Sequence, residues 1–158
     1  MQQILTAKLK LLTAPEQHQE LRQTQLAYRD ALNYVSRYVF EHQKTSNVDR
    51  LQKGTYSDIR RLFRLPSQMA CNVPRQVAAT YKSLRTKLKK NIEHRKMKRT
   101  KKHFRGLDKP PRYVSPTISY NYGYDYGFKP GQQVSILTLH GRIILPYEGY
   151  HRHVALIR

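Results

Sequence analysis

Residues 77–112 read VAATYKSLRTKLKKNIEHRKMKRTKKHFRGLDKPPR, and this stretch decides how the rest of the chain divides. Val77, Tyr81, Leu84, Leu88 and Ile92 recur at spacings of four, three, four and four, the pattern of a helix with one apolar face. Lys82, Arg85, Lys89 and Lys90 make its back basic. From Arg85 to Arg105 eleven Lys or Arg stand against one acid, Glu93. From Lys96 to Lys102 the apolar stripe is lost, which leaves open a frayed helix, a loop, or a segment that orders only on its ligand. At Gly106 the composition changes, and Pro110–Pro111 impose a stiff, extended connection that no helix can continue through. A helical part is expected before this point and a strand-rich part after it.

Upstream, Ile4, Leu9 and Leu11 alternate in part with Lys8 and Lys10, which predicts one strand over 3–12. Helix-start chemistry follows at once: Thr13 as cap, Glu16 three residues on, Pro15 in the first turn. Leu21, Tyr28, Leu32, Val35 and Val39 then form an apolar stripe that asks for a partner helix. Polar residues 41–54 predict a loop with a partly ordered turn near 48–51. Thr55 and Asp58 repeat the capping signature before Ile59, Leu62 and Phe63, and Leu65–Pro66 end that short helix. Ser67 is positioned to cap a third segment, in which Pro74 either restarts the helix or kinks a continuous one.

Downstream, strands are expected over 113–120, 134–139, 142–145 and 152–157, with turns at Pro130–Gly131 and His140–Gly141. With the first strand returning to join them, five short strands would curl into a small open barrel carrying the helices as an insertion. The expected class is therefore α+β, divided into 1–12, 13–105 and 106–158. Tyr120, Tyr122, Tyr124 and Tyr126 alternate strictly, so two uses compete: rings filling the crowded side of a twisted hairpin, or rings stacking on exposed bases.

Composition excludes several classes. Thirty basic against ten acidic side chains give a formal charge of +20, about one excess charge per eight residues, which calls for phosphates or another acidic surface. No apolar run is long enough to enter a membrane, and the first twelve residues lack a signal peptide's pattern, so an intracellular, cytoplasmic protein is expected. A single cysteine, Cys71, rules out an internal disulfide and a Cys-pair metal site. His151 and His153 would face one side of an extended segment, but no third ligand stands at a characteristic spacing. The ten carboxylates include no pair arranged for two-metal or acid/base work. No catalytic residue, metal or cofactor is assigned within the chain.

Several stretches in this order resemble a known family. These are the strand over 4–12, the helix with Tyr28 and Asn33, LPSQMACNVPRQVAATYKSL at 65–84, GLDKPPRYVSPTISYN at 106–121 and GRIILP at 141–146. They are similar to the N-terminal half of transposon-encoded RNA-guided nucleases of the TnpB kind and the related compact type V CRISPR effectors. The resemblance covers nearly the whole chain. It implies that the strands form a wedge domain, a small oligonucleotide-binding-like β-barrel, and that the helices form an inserted recognition lobe. It also implies guide RNA and target DNA as partners. The RuvC-like domain of that family, whose three acidic residues hold two Mg2+ ions, would begin beyond Arg158. The expectation is then a fragment, or a split protein partnered by a separate nuclease half or a second copy, that binds nucleic acid without cutting it.

By that resemblance the nucleic-acid contacts fall to Ser67, Gln68, Asn72 and Arg75 on the recognition helices and to the basic face through Lys82, Arg85, Lys89, Lys90 and Arg99. Lys109, Arg112, Tyr113, Tyr120 and Tyr122 would serve the wedge. Lys and Arg would neutralise phosphates, Ser, Asn and Gln would make short polar contacts, and tyrosines would stack or pack on ribose. Capping and helix-surface hydrogen bonding compete for the Ser, Gln and Asn positions. A general RNA-binding or ribosome-associated protein is the second class that charge and size allow, and a protein-binding adaptor using the helical face is the third.

Overall fold

The computed structural model describes residues 4–157. Met1–Gln3 and Arg158, which belong to the expected first and last segments, lie outside the described residues. The element order is β1 (Leu9–Leu11), α1 (Pro15–Glu41), α2 (Val48–Phe63), α3 (Ser67–Lys96), β2 (Tyr126–Lys129), β3 (Gln133–Thr138), β4 (Gly141–Gly149) and α4 (His151–Ala155). Two compact units result: residues up to Thr24 together with those from Tyr120 onward, and Gln25–Ser119.

In the helical unit, Tyr28, Leu32, Val35 and Val39 of α1 are buried, as are Leu51 and Ile59 of α2 and Met69, Val73, Val77 and Tyr81 of α3. Tyrosine hydroxyls at the margins of this core find partners. Tyr28 donates to Gln76 Oε1 at 3.0 Å, Tyr81 to the Ser36 carbonyl at 2.9 Å and Tyr34 to Asp58 Oδ2 at 2.8 Å. The helix starts differ from the expected ones by local chemistry. Ala14, not Thr13, precedes α1, and its N–H donates to Gln17 Oε1 at 3.0 Å while Pro15 takes the first helical position. α2 begins at Val48 because Asn47 Oδ1 accepts the Arg50 N–H, and Thr55 lies inside the helix with its hydroxyl on the Leu51 carbonyl. α3 runs unbroken through Pro74, with Ser67 at its first position and no side-chain cap.

The return segment 106–119 carries no regular structure, so its backbone must be satisfied by other means. Side chains of the helical unit supply them. Asn33 donates through Nδ2 to the Tyr113 carbonyl at 2.9 Å and accepts the Tyr113 N–H on Oδ1 at 2.8 Å. Ser36 Oγ donates to the Pro111 carbonyl, Lys44 Nζ to the Leu107 carbonyl and Asn72 Nδ2 to the Ser119 carbonyl.

The second unit is built on one antiparallel sheet in the order β1-β4-β3-β2. This overturns the expected oligonucleotide-binding-like β-barrel: the sheet is open, and its edges are β1 and β2. Two expected strands are missing from it, each for a physical reason. Over 113–119 both backbone groups of Tyr113 go to Asn33 and the Ser119 carbonyl goes to Asn72, in place of ladder bonds. Residues 151–155 are helical because Val154 and Ile157, three apart, both pack on the sheet core of Val134, Ile136, Leu145 and Tyr147; a strand would point them to opposite faces. β2 forms instead in the Gly- and Tyr-rich stretch between the strands expected over 113–120 and 134–139.

β4 serves two partners in succession. Its pairing with β3 runs to Gln133↔Pro146, and its pairing with β1 begins at Leu11↔Tyr147. Pro146 brings no N–H and stands at the handover, while its carbonyl accepts the Leu12 N–H at 2.9 Å. A Cβ on Gly149 would meet Leu9 Cδ2 at 2.8 Å, so glycine lets β1 lie close. The first turns of α1, up to Thr24, belong to this unit: Thr24 Oγ1 accepts the Leu139 N–H at 3.1 Å, and Thr138 hydrogen-bonds to the Glu20 carboxylate.

Replacing Asn33 by Ala strands both backbone groups of the half-buried Tyr113. The expected loss is about 1–3 kcal/mol of stability, read as a lower urea midpoint. An unchanged midpoint would show that water replaces the amide without cost.

Candidate nucleic-acid interface

α3 leaves the core at Tyr81. Leu84 and Leu88 are half-buried and Ile92 is 42% exposed, so the apolar stripe read from the sequence stops holding the helix after its midpoint. From there Lys82, Arg85, Lys87, Lys89, Lys90, Arg95 and Lys96 are all exposed. At about 1.5 Å per residue, this basic half of the helix is on the order of 20 Å long.

The helix ends in a tight reversal. The Lys98 N–H donates to the Arg95 carbonyl at 3.0 Å and the Arg99 N–H to the His94 carbonyl at 2.8 Å, and Lys98 itself is left-handed at a φ of 56°. The chain then doubles back along α3. Asn91 holds it there, donating through Nδ2 to the Lys102 carbonyl at 3.0 Å and accepting the Phe104 N–H at 3.1 Å. Gly106 lets the Phe104 ring settle on the backbone, where a Cβ would meet ring atoms at 2.3 Å. Lys96–Lys102 is thus the end of a helix and an anchored return, with Lys98, Arg99, Lys101 and Lys102 exposed. Among the described residues the ion pairs are Arg29–Asp30 and Arg61–Asp58, so none neutralises this arm.

The residues expected to bind nucleic acid fall into two groups. Ser67, Arg75, Lys82, Lys89, Lys90, Arg99, Lys109, Arg112 and Tyr122 are exposed, and Gln68 is half-buried. Arg112 borders a groove of about 410 Å³ with Arg37, Asn33 and Phe63. The others are engaged within the fold. Asn72 is buried, with its amide on Ser119. Arg85 is exposed but donates to Ser46 Oγ at 3.3 Å and to the Lys44 carbonyl, fastening the loop after α1. Tyr113 donates to Thr80 Oγ1 at 2.7 Å, and burial raises its pKa. Tyr120 is raised further, by burial first and by the nearby Asp125 charge second.

Sequence reasoning missed three features: the Asn91 clamp, Arg37 beside Arg112, and a groove in the sheet unit formed by Tyr122, Phe128, Lys129 and Tyr147. The one available signal was Asn91 itself, a side-chain amide inside a run of cations. His151 and His153, expected on one side of an extended segment, stand roughly 200° apart on α4. Among the described residues no group of three His, Cys, Asp or Glu could hold a metal ion. Among the same residues no helix is long and apolar enough to cross a membrane.

A tyrosine whose folded pKa exceeds its unfolded value of about 10 contributes stability in full below that value and loses it as pH rises through the folded pKa. The stability advantage of the native chain over Tyr120→Phe should therefore hold up to about pH 10 and shrink above it, by at most about 1.4 kcal/mol per pH unit. Paired urea titrations read it, and a difference constant with pH would contradict it. Comparisons with protein-family models, curated proteins and solved structures give no match to this chain.

Proposed function

We propose that this chain binds nucleic acid along the basic arm of α3 and its return segment, as the guide-RNA and target-DNA binding portion of an RNA-guided DNA nuclease. One observation carries the binding: eleven Lys or Arg from Arg85 to Arg105 lie on a helix end and a return segment clamped back along it, with no ion pair among the described residues to neutralise them. Charge held at this density on an ordered support favours a polyphosphate, whose counterions are released on binding. The family resemblance supplies the identity of the nucleic acids and a cytoplasmic setting. The nuclease half would come from elsewhere, as a RuvC-like region in a longer chain or a separate partner.

A second reading, a general RNA-binding or ribosome-associated protein, is favoured by the inward engagement of Asn72 and Tyr113. With those groups occupied, contact through the arm is mainly to phosphates and carries little sequence information. The two readings separate on the RNA that copurifies with the chain. A defined noncoding RNA transcribed from beside the chain's own gene is the expected outcome, whereas ribosomal RNA alone would sink the guided-nuclease reading.

Binding itself is tested by salt. Log affinity should fall steeply with log salt, and replacing Lys89, Lys90, Lys101 and Lys102 by Ala should make the slope shallower by roughly one per lysine that meets a phosphate. Thermal stability should stay nearly constant, because all four side chains are exposed. A slope indifferent to these changes would remove the arm from the interface.

A further inference from the structure

The sheet unit contains a groove of about 820 Å³ lined by Tyr122, Phe128, Tyr147, Val154 and Ile157, with Lys129, Gln132 and Glu148 among its polar groups. Its aromatic rings adjoin one another. Phe128 meets Tyr147 at 5.6 Å between ring centroids, Tyr126 at 5.9 Å and Tyr122 at 6.3 Å. Most of these rings serve the core, but Tyr122 is 66% exposed.

The loop that holds Tyr122 is firmly built. The Asn121 carbonyl accepts the Asp125 N–H at 2.8 Å, Asp125 Oδ2 accepts the Asn121 N–H at 2.9 Å, and the Gly123 N–H donates to the Tyr126 carbonyl at 2.8 Å. Gly123 takes a left-handed φ of 81°, which closes the turn. An exposed ring on a fixed loop loses little conformational entropy when a ligand stacks on it. The contacts of Tyr122 within the fold are edge-on to Tyr126 at 5.6 Å and tilted to Phe128 at 6.3 Å, which still leaves much of the ring in water.

We propose that this groove takes an unstacked base of a single-stranded nucleic acid, with Tyr122 as the stacking wall and Lys129 facing the phosphate. The choice of occupant follows from chemistry: a flat aromatic wall suits a base face, a cation beside it suits a phosphate, and the chain's charge of +20 favours an anionic ligand. Glu148 at the rim can only accept hydrogen bonds while ionised, so it suits an exocyclic amine or a ribose hydroxyl and disfavours a phosphate at that end. A duplex keeps its base faces stacked and cannot offer one to the ring. The proposal rests on nucleic-acid binding by this chain but uses residues separate from the basic arm.

The test measures binding of the whole chain to a fluorescent single-stranded RNA, the same sequence as DNA, and the corresponding duplex. A single-stranded probe carrying 2-aminopurine reports stacking directly. Tyr122→Ala should weaken single-strand binding roughly 5- to 150-fold, abolish quenching of the probe, and leave both the salt slope and duplex binding unchanged. Tyr122→Phe should retain native affinity, since the ring and not the hydroxyl does the stacking. Preference for RNA over DNA would point to the ribose hydroxyl as part of the ligand, and equal binding to the base alone; both support the groove. Circular dichroism confirms that each variant folds.

The proposal is overturned if Tyr122→Ala binds the single strand as the native chain does, or weakens single strand and duplex equally. It is also overturned if that variant changes self-association and not oligonucleotide binding, which would make a second copy the occupant. Failure here with the arm lysines still controlling affinity leaves the proposed function standing. A Tyr122 effect without an arm effect keeps the groove and removes the arm from the interface, and no binding to any probe ends both.

Discussion

A side-chain amide can satisfy a passing backbone as a neighbouring strand would, and the helical unit depends on that substitution. After α3 the chain runs through 97–119 without helix or strand, far longer than an ordinary connection. Its N–H and C=O groups cannot be left dry. Asn33 engages both backbone groups of Tyr113, Asn91 brackets 102–104, and Asn72 takes the Ser119 carbonyl. Each asparagine projects from a helix, so the irregular segment inherits its path from regular elements.

This arrangement explains why some of the fold was legible and some was not. The α1 stripe of Tyr28, Leu32, Val35 and Val39 is buried because every member of a 3.6-residue period meets the same core. The α3 stripe has the same period, yet Ile92 is left 42% exposed, since periodicity states which residues share a face and not how fully anything covers it. Strand expectation at 113–120 failed for a related reason. Alternating apolar residues signal a chain without helix, which this segment is, but the backbone of Tyr113 bonds to the Asn33 side chain and not to a strand. At 151–157 the alternation signal was too short to outweigh the i, i+3 packing of Val154 and Ile157.

The candidate interface was legible where it depended on charge and obscure where it depended on neighbours. A run of lysines announces itself in a composition count, and their exposure follows from the cost of burying a charge. The engagement of Arg85, Asn72, Tyr113 and Tyr120 could not be read in advance, because their partners at Lys44, Ser119, Thr80 and Leu137 are distant in sequence or lie in loops. The groove around Tyr122 needs β2, β4 and α4 together, and two of those elements were not expected in the form they take.

Leu9 of β1 pairs with Gly149 of β4, with all three long helices between them in sequence. At ordinary synthesis rates of about 5–20 residues per second, β1 leaves the ribosome on the order of ten seconds before its partner exists. By then the whole of the helical unit, Gln25–Ser119, has already been made. The apolar side chains of Leu9 and Leu11 wait beside Lys8 and Lys10, charges that discourage a lone strand edge from pairing with a stranger. Order of synthesis is thereby written into topology: the three long helices are made between the two strands that pair, and the sheet is completed only when β4 follows.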